Sequence, residues 1–415
     1  MRNKILIAFI LISVFVLIDF YFFQIVVSVS KNWSATYRKI WRFGFWIPTA
    51  LFIVVVLWWA LGLPFQFSAS ARNFIITGII ATYLSKIIGI VLLFIGDIQR
   101  LAIWVLGLFK SSGEGLSGKL IPRSEFLSKA ALLTTTIPFS AFAYGIISGA
   151  HDYRVKRLTI SLPNLPKAFH GIRIGQISDI HSGSFWNKSA VIGGVNLFLK
   201  EKPDVIFFTG DLVNNETSEI NDYLSVFNKI KAPYGVFSVT GNHDYGDYRS
   251  WASPEEKSKN FQDLIEAHKL LGYDLLMNEN RILTIGSDQI AILGNENWGA
   301  GRFSKYGKLD LAYQGTTDLP VKLLLSHDPT HWDAQVRPLH PDIDITFSGH
   351  THGFQFGVKI GGFRWSPAKY MYKQWEGLYQ EGSQFLYVNR GFGFIGYPGR
   401  FGMPPELTII ELIRA

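Results

Sequence analysis

Residues 204–211 read Asp204-Val205-Ile206-Phe207-Phe208-Thr209-Gly210-Asp211, an apolar run that leaves through a Gly-Asp pair. A short unbroken apolar run bounded by turn residues predicts a strand buried on both faces. The same arrangement recurs on either side of it. Segment 171–178 reads as a strand entering Asp179-Ile180-His181, and 188–200 carries helical spacing. Segment 220–230 reads as helix, and 234–240 as extended chain entering Gly241-Asn242-His243-Asp244. Further on, 321–325 enters Ser326-His327, and 343–347 enters Ser348-Gly349-His350-Thr351-His352. Strands alternating with helices predict an α/β fold, in which ligand sites gather outside the carboxyl ends of strands.

The residues delivered to those ends decide the chemistry. The chain has no cysteine, so any metal must be held by imidazole, carboxylate or amide groups. Asp179, His181, Asp211, Asn242, His327, His350 and His352 supply that donor set, which suits two divalent ions such as Mn, Fe or Zn. Two ions about 3.5–4 Å apart clamp a phosphoryl group and lower the pKa of a bound water. Asp211 is the natural bridge between them, because Gly210 permits close approach in a tight turn. In Asp179-Ile180-His181 and His350-Thr351-His352, extended backbone would turn the i and i+2 side chains to one face. His243, beside Asn242, is placed to meet substrate, where a protonated imidazole would either stabilise the phosphoryl oxygens or protonate a leaving alkoxide.

These blocks resemble the calcineurin-like metallophosphoesterase family: Asp-x-His, Gly-Asp, Gly-Asn-His-Asp/Glu, a lone His and Gly-His-x-His, in the same order. The resemblance covers most of the chain from about Ile172. It implies one ion on Asp179, His181, Asp211 and His352, and a second on Asp211, Asn242, His327 and His350. It makes His243 the catalytic acid, oriented by Asp244. It also implies a four-layer αββα sandwich, two facing mixed sheets flanked by helices, with the ions at one edge. The N-terminal membrane region, Gly-His-Thr-His-Gly, Asn389-Arg390-Gly391 and Pro404-Pro405-Glu406 are similar to a bacterial membrane-associated branch. That branch includes pyrophosphatase-like enzymes of nucleotide-linked lipids. The chain departs from it at Phe354-Gln355, where Gly-Gln is frequent.

Outward from the domain the composition changes. Hydrophobic residues make up 48% of the 415, and the long apolar runs fall before about Gly149. Runs at 5–29, 45–63, 74–96 and 126–149 predict about four membrane-spanning helices, with 101–109 as an interfacial helix. The division expected is therefore 1–150, transmembrane and all-α, and 151–415, catalytic. Asp19 and Lys86 fall inside predicted spans, where a structural pair is favoured over a transport path. The net charge of +8 is dispersed and flanks apolar segments, arguing for an integral membrane protein and against nucleic acid as partner. Lys31, Arg38, Lys39, Arg42, Arg100, Lys110, Lys119 and Arg123 outnumber the basic residues of the opposite loops. By the positive-inside rule the catalytic part then lies outside the cytoplasm of a bacterial cell membrane.

Each motif taken singly is weak, since Gly-Asp and Ser-His occur as ordinary turns and strand ends. Their ordered combination is what carries the expectation of an enzyme acting on a phosphorylated small molecule or lipid. The rivals are a nucleotide or nucleic-acid phosphodiesterase and a non-enzymatic metal-binding membrane module. His151, His170, His268, His331 and His340 belong to no block and read as surface or packing residues, with solvent exposure favoured for His331. Arg400, in the glycine-rich stretch 392–401, reads equally as a phosphate contact or part of a turn. Trp298, Arg302 and Phe303 read as pocket rim or bilayer-facing.

Overall fold

The computed structural model describes residues 2–62, 69–108, 125–301 and 303–415, and it divides into two compact units, Met1–Ala143 and Tyr144–Ala415. Pro64, Lys110, Lys119, Arg123 and Arg302 lie outside the described residues. Long apolar runs become helices because only a helix satisfies its own backbone within one segment. The helices are α1 (Arg2–Val29), α2 (Ala35–Gly44), α3 (Ile47–Ala60), α4 (Ala69–Leu108) and α5 (Glu125–Ile147). Four segments, Asn3–Val29, Ala35–Ala60, Ala71–Leu106 and Phe126–His151, are long and apolar enough to cross a membrane. Pro48 has no N–H to donate to the carbonyl four residues back, which separates α2 from α3.

The expected break at Asp97, Gln99 and Arg100 is absent, and α4 runs unbroken for 40 residues. At a rise of about 1.5 Å per residue it is roughly twice as long as a hydrocarbon core is thick. The charges are accommodated in place, because Arg100 pairs with Asp97 one turn away and Tyr21 Oη donates to Asp97 at 2.5 Å. Asp19 and Lys86 do pair, with Nζ 2.5 Å from Oδ1. Thr49 and Tyr83 donate to the other oxygen at 2.6 and 2.9 Å, so the buried carboxylate ties α1, α3 and α4 together.

In the second unit the chain supplies β1 (Arg154–Leu162), β2 (Arg173–Ile177), β3 (Val205–Phe208), β4 (Val236–Ser238), β5 (Asp274–Leu275), β6 (Glu279–Ile285) and β7 (Asp288–Asn295). It continues with β8 (Lys322–Ser326), β9 (Ile345–Ser348), β10 (Val358–Ile360), β11 (Phe363–Trp365), β12 (Gly377–Glu381), β13 (Gln384–Val388) and β14 (Glu406–Arg414). One mixed sheet has the order β1-β14-β2-β3-β4-β5 and the other β12-β13-β9-β8-β7-β6, while β10 and β11 form a separate hairpin. The period of two along β3 explains the layering. Val205 and Phe207 join the core between the sheets, where Phe207 meets Phe347 at 4.9 Å between ring centroids. Ile206 and Phe208 point the other way, to a core with Val191, Val195 and Phe198 of α6 (Lys188–Leu199). On the far side, Trp332 and Val336 cover Leu293 and Leu324. The unit is thus the four-layer sandwich that the sequence predicts.

Segment 220–230 is not the continuous helix expected. It forms a 3-10 stretch, Thr217–Tyr223, and one turn, α7 (Leu224–Phe227). Tertiary hydrogen bonds fix its start: Glu219 accepts from Asn214 N at 2.6 Å and Thr217 N donates to Asn260 at 2.8 Å. His268, on α8 (Pro254–Leu271), is fully buried, its Nδ1 3.0 Å from Ser238 Oγ. Burial lowers its imidazole to about 3, so the folded unit holds it neutral. A depressed histidine contributes stability that is complete above its unfolded value of about 6.5 and is lost as pH falls below that. His268→Gln should therefore show a smaller drop in urea midpoint between pH 7 and pH 5 than the parent protein. Equal drops would contradict this.

Candidate metal centre

The strand-end loops are bound to each other before their side chains meet. Asp179 N donates to Gly210 O at 2.9 Å, His181 N to Asp211 O at 3.1 Å and Ser182 N to Leu212 O at 3.1 Å. His350 N donates to the Asp179 carboxylate at 3.0 Å, and His243 N to Asp211 Oδ1 at 2.9 Å. Gln176 of one sheet donates to Ser348 O of the other at 3.0 Å, closing the same edge. All seven expected ligand residues come to this edge, but not on extended backbone. Asp179, His181, Asp211, His350 and His352 have φ of 50°, 48°, 59°, 70° and 52°. The i and i+2 pairs reach the same edge through left-handed turns and not through extended backbone. Left-handed non-glycine residues cost about 1–3 kcal/mol each, and they collect where a site fixes them.

Gly210 is required for a more local reason than close approach of a metal. Its φ is +96°, and a Cβ there would lie 2.6 Å from Gly241 N and 2.9 Å from His327 Nδ1. The turn therefore packs directly on the Gly241 loop.

The donor atoms converge. His181 Nε2 and His352 Nε2 face each other at 3.0 Å, and His352 Nε2 is 3.2 Å from Asp179 Oδ1. Asp211 Oδ2 lies 3.4 Å from His181 Nε2 and 3.1 Å from His327 Nε2. His350 Nδ1 is 2.8 Å from Asn242 Oδ1. Two groups, Asp179/His181/His352 and Asp179/Asp211/His327, each offer buried ligand atoms within 4.8 Å of one another. Like lone pairs brought together in the interior, with carboxylates among them, are the donor chemistry of a divalent cation. Burial works to raise the Asp179 and Asp211 carboxyls, but the surrounding histidines outweigh it and hold both well below the usual range. Burial likewise works to lower His327, yet Asp211 raises it to about 10.

The two expected catalytic residues stand differently. His243 lines the cleft, and its Nδ1 donates to Asn214 O at 2.7 Å, which leaves Nε2 for another partner. Asp244 does not hold that ring. Its buried carboxylate accepts from the backbone N–H groups of Asp211, Leu212, Val213 and Gly241 at 2.8–3.3 Å, fixing the bridge loop instead. Burial and the neighbouring Asp211 charge raise it to about 7. The histidine is oriented by a backbone carbonyl, which no side-chain motif announces.

Other expectations change similarly. Arg400 is buried, and its guanidinium is spent on the carbonyls of Gly393, Met403, Arg390, Gly391 and His352 at 2.5–3.5 Å and on the His352 ring at Nδ1, 3.1 Å away, so it holds the turn and not a phosphate. His331 is buried, not exposed: it stacks on Trp298 at 4.4 Å with Nδ1 2.8 Å from Ser326 Oγ. Phe303 is a rim residue, its ring 4.9 Å from that of His350. The cleft over the donors has a volume of about 260 Å³ and an apolar mouth of Phe303, Phe354, Tyr372, Ile395 and Tyr397, and none of its described lining residues is Lys or Arg. Gln355 lies beneath, donating to Tyr397 O at 2.7 Å.

An αββα sandwich with clustered His and Asp donors at one edge, on a chain with four membrane-length helices, defines a membrane-embedded metallohydrolase. The comparisons agree with that class. The family model “Calcineurin-like phosphoesterase” matches residues 172–354, and “Probable Calcineurin-like phosphoesterase, transmembrane domain” matches residues 1–150. The metallophosphoesterase YkuE of Bacillus subtilis is 28% identical over 296 residues, 66% of this chain and 94% of the relative. A transmembrane protein with metallophosphoesterase domain from Danio rerio is 28% identical over 317 residues, 72% of this chain and 68% of the relative. The UDP-2,3-diacylglucosamine pyrophosphatase LpxG of Chlamydia trachomatis is 30% identical over 311 residues, 63% of this chain and 89% of the relative. The chain belongs to the calcineurin-like metallophosphoesterases, and it is an integral membrane enzyme of that family.

Proposed function

We propose that the chain hydrolyses a phosphoester or pyrophosphate bond with water, using two divalent ions such as Mn, Fe or Zn. Asp179, His181, Asp211 and His352 hold one, and Asp211, Asn242, His327 and His350 the other. The observation that carries this reading is the position of Asp211 Oδ2, 3.4 Å from His181 Nε2 and 3.1 Å from His327 Nε2, one histidine from each set. When bound, such ions clamp the phosphoryl oxygens and lower the pKa of a water. The chain itself positions the reacting groups. His243, its Nδ1–H committed to Asn214 O, presents Nε2 to the leaving oxygen and passes a proton to it. Asp244 contributes by holding the amides of the Asp211 turn.

The substrate proposed is lipid-linked or envelope-associated, with the catalytic region 151–415 tethered to the membrane region 1–150. The apolar mouth of the cleft and the name of the Chlamydia relative support it. The dispersed positive charge of the chain supports a substrate other than nucleic acid, whose backbone calls for clustered cationic groups. Bacterial relatives and the distribution of basic residues favour a bacterial cell membrane, with this region outside the cytoplasm.

His243→Ala should lower kcat on an aryl phosphodiester by about 10²–10⁴-fold. Bound metal should be unchanged, because the ring touches no ligand atom of the two sets through Nδ1. A diester with a poorer, alkyl leaving group should suffer more, since it depends more on the proton. Full activity in the variant on both substrates would refute the role.

A further inference from the structure

Two tyrosines that belong to no motif stand behind the second proposed ion. Tyr372 Oη lies 3.0 Å from His350 Nε2, and Tyr248 Oη accepts from Asn242 Nδ2 at 2.9 Å. Their partners are the pair whose other atoms, His350 Nδ1 and Asn242 Oδ1, face each other at 2.8 Å. If those two atoms give lone pairs to one cation, the neutral imidazole must carry its proton on Nε2, and that proton goes to Tyr372 Oη. Asn242 Nδ2 can only donate, so Tyr248 Oη is an acceptor as well. Both phenols then have an oxygen lone pair engaged by a ligand and an O–H still to give. Neither hydroxyl has another hydrogen-bond partner among the described residues.

The surroundings say where those O–H groups can act. Tyr372 is half-buried and lines the cleft; Tyr248 is exposed beside it, its ring 4.5 Å from that of the lining residue His243. Among the described lining residues of this cleft none is Lys or Arg, so the hydroxyls stand among neutral side chains there as donors for phosphoryl oxygens. We propose that Tyr248 and Tyr372 are a matched pair: each fixes one ligand of the second ion through its oxygen and donates its hydroxyl hydrogen to a phosphoryl oxygen of the substrate. The proposal rests on the two-ion reading above and adds the residues that orient one half of it. It accounts for two phenols placed on two adjacent ligands, which packing alone does not require.

The test uses the full chain in detergent micelles, with Tyr372→Phe and Tyr248→Phe as variants that keep the rings. Manganese(II) chloride is titrated calorimetrically without substrate, and kcat and KM are then measured on bis(p-nitrophenyl) phosphate at saturating manganese. The parent should bind two manganese ions. In each variant one of them should weaken about 10–100-fold while the other is unchanged. At saturating manganese kcat/KM should still be down about tenfold, from the lost O–H donor. Unchanged manganese affinity in both variants overturns the positioning half, and unchanged kcat/KM overturns the substrate half; in either case two ions in the parent leave the two-ion reading standing. Fewer than two ions in the parent overturns both.

Discussion

Asp211→Asn should abolish hydrolysis of an aryl phosphodiester, by about 10³-fold or more, and leave the folded unit intact. The carboxylate oxygen between His181 and His327 is the one atom both proposed sets share, and an amide supplies a single weaker oxygen in its place. Without metal the change acts on the edge in two opposed ways. Asp179, Asp211 and Asp244 are all buried there, and the Asp211 charge adds to burial in pushing Asp244 up to about 7. Removing it relieves that repulsion but also takes away the anion that holds His327 protonated, and the depressed Asp211 carboxyl shows that this second effect dominates, so the melting temperature without metal should fall. The increase on adding manganese, which measures binding to the native state, should disappear. Thermal unfolding with and without manganese reads both. A variant that keeps its metal-dependent stabilisation would remove Asp211 from the centre of the account.

Arg390→Met should destabilise the catalytic unit by about 3–5 kcal/mol, the usual result of stranding a buried charge. Arg390 follows β13 in one sheet and Glu406 opens β14 in the other, so their 2.6 Å ion pair ties the sheets together beside the site. Glu406 also accepts from Tyr387 Oη at 2.6 Å and from Thr408 Oγ1 at 2.9 Å. Burial works to raise this carboxyl, and Arg390 is the main group holding it low. Without the guanidinium its folded value rises above the unfolded one, so the penalty is present at high pH and shrinks as the group takes a proton. The gap in urea-unfolding free energy between parent and variant should therefore narrow from pH 8 to pH 5. Arg390→Met/Glu406→Gln should recover most of the loss, because the neutral amide keeps an oxygen for Tyr387. A gap that is small or widens towards acid would contradict this.

What could be read from the sequence followed the physics of each signal. Val205 to Phe208 had to be a doubly buried strand, and the donor residues had to lie at strand ends, because period and polarity say so. The left-handed turns at Asp179 and His350 were hidden, since a ligand pair at i and i+2 has the same spacing in either backbone. Asp244 was misread because its partners are main-chain amides, which have no sequence signature. Tyr372 lies 22 positions beyond His350 in a stretch without regular spacing, and nothing marked it as a neighbour. Arg400 looked like an exposed cation in a glycine-rich loop, whereas its guanidinium turns inward onto Gly393 O, the carbonyls of flanking residues and the His352 ring. The Asp97–Arg100 charges suggested a helix end only because their pairing within α4 cannot be seen in hydropathy.

The most direct test of the central claim is the metal content of the full chain, purified in detergent without chelator and measured by elemental analysis beside Asp211→Asn. The account predicts about two transition-metal ions per parent chain and a marked loss in the variant. A folded parent with an empty site, or equal occupancy in the two proteins, would contradict it.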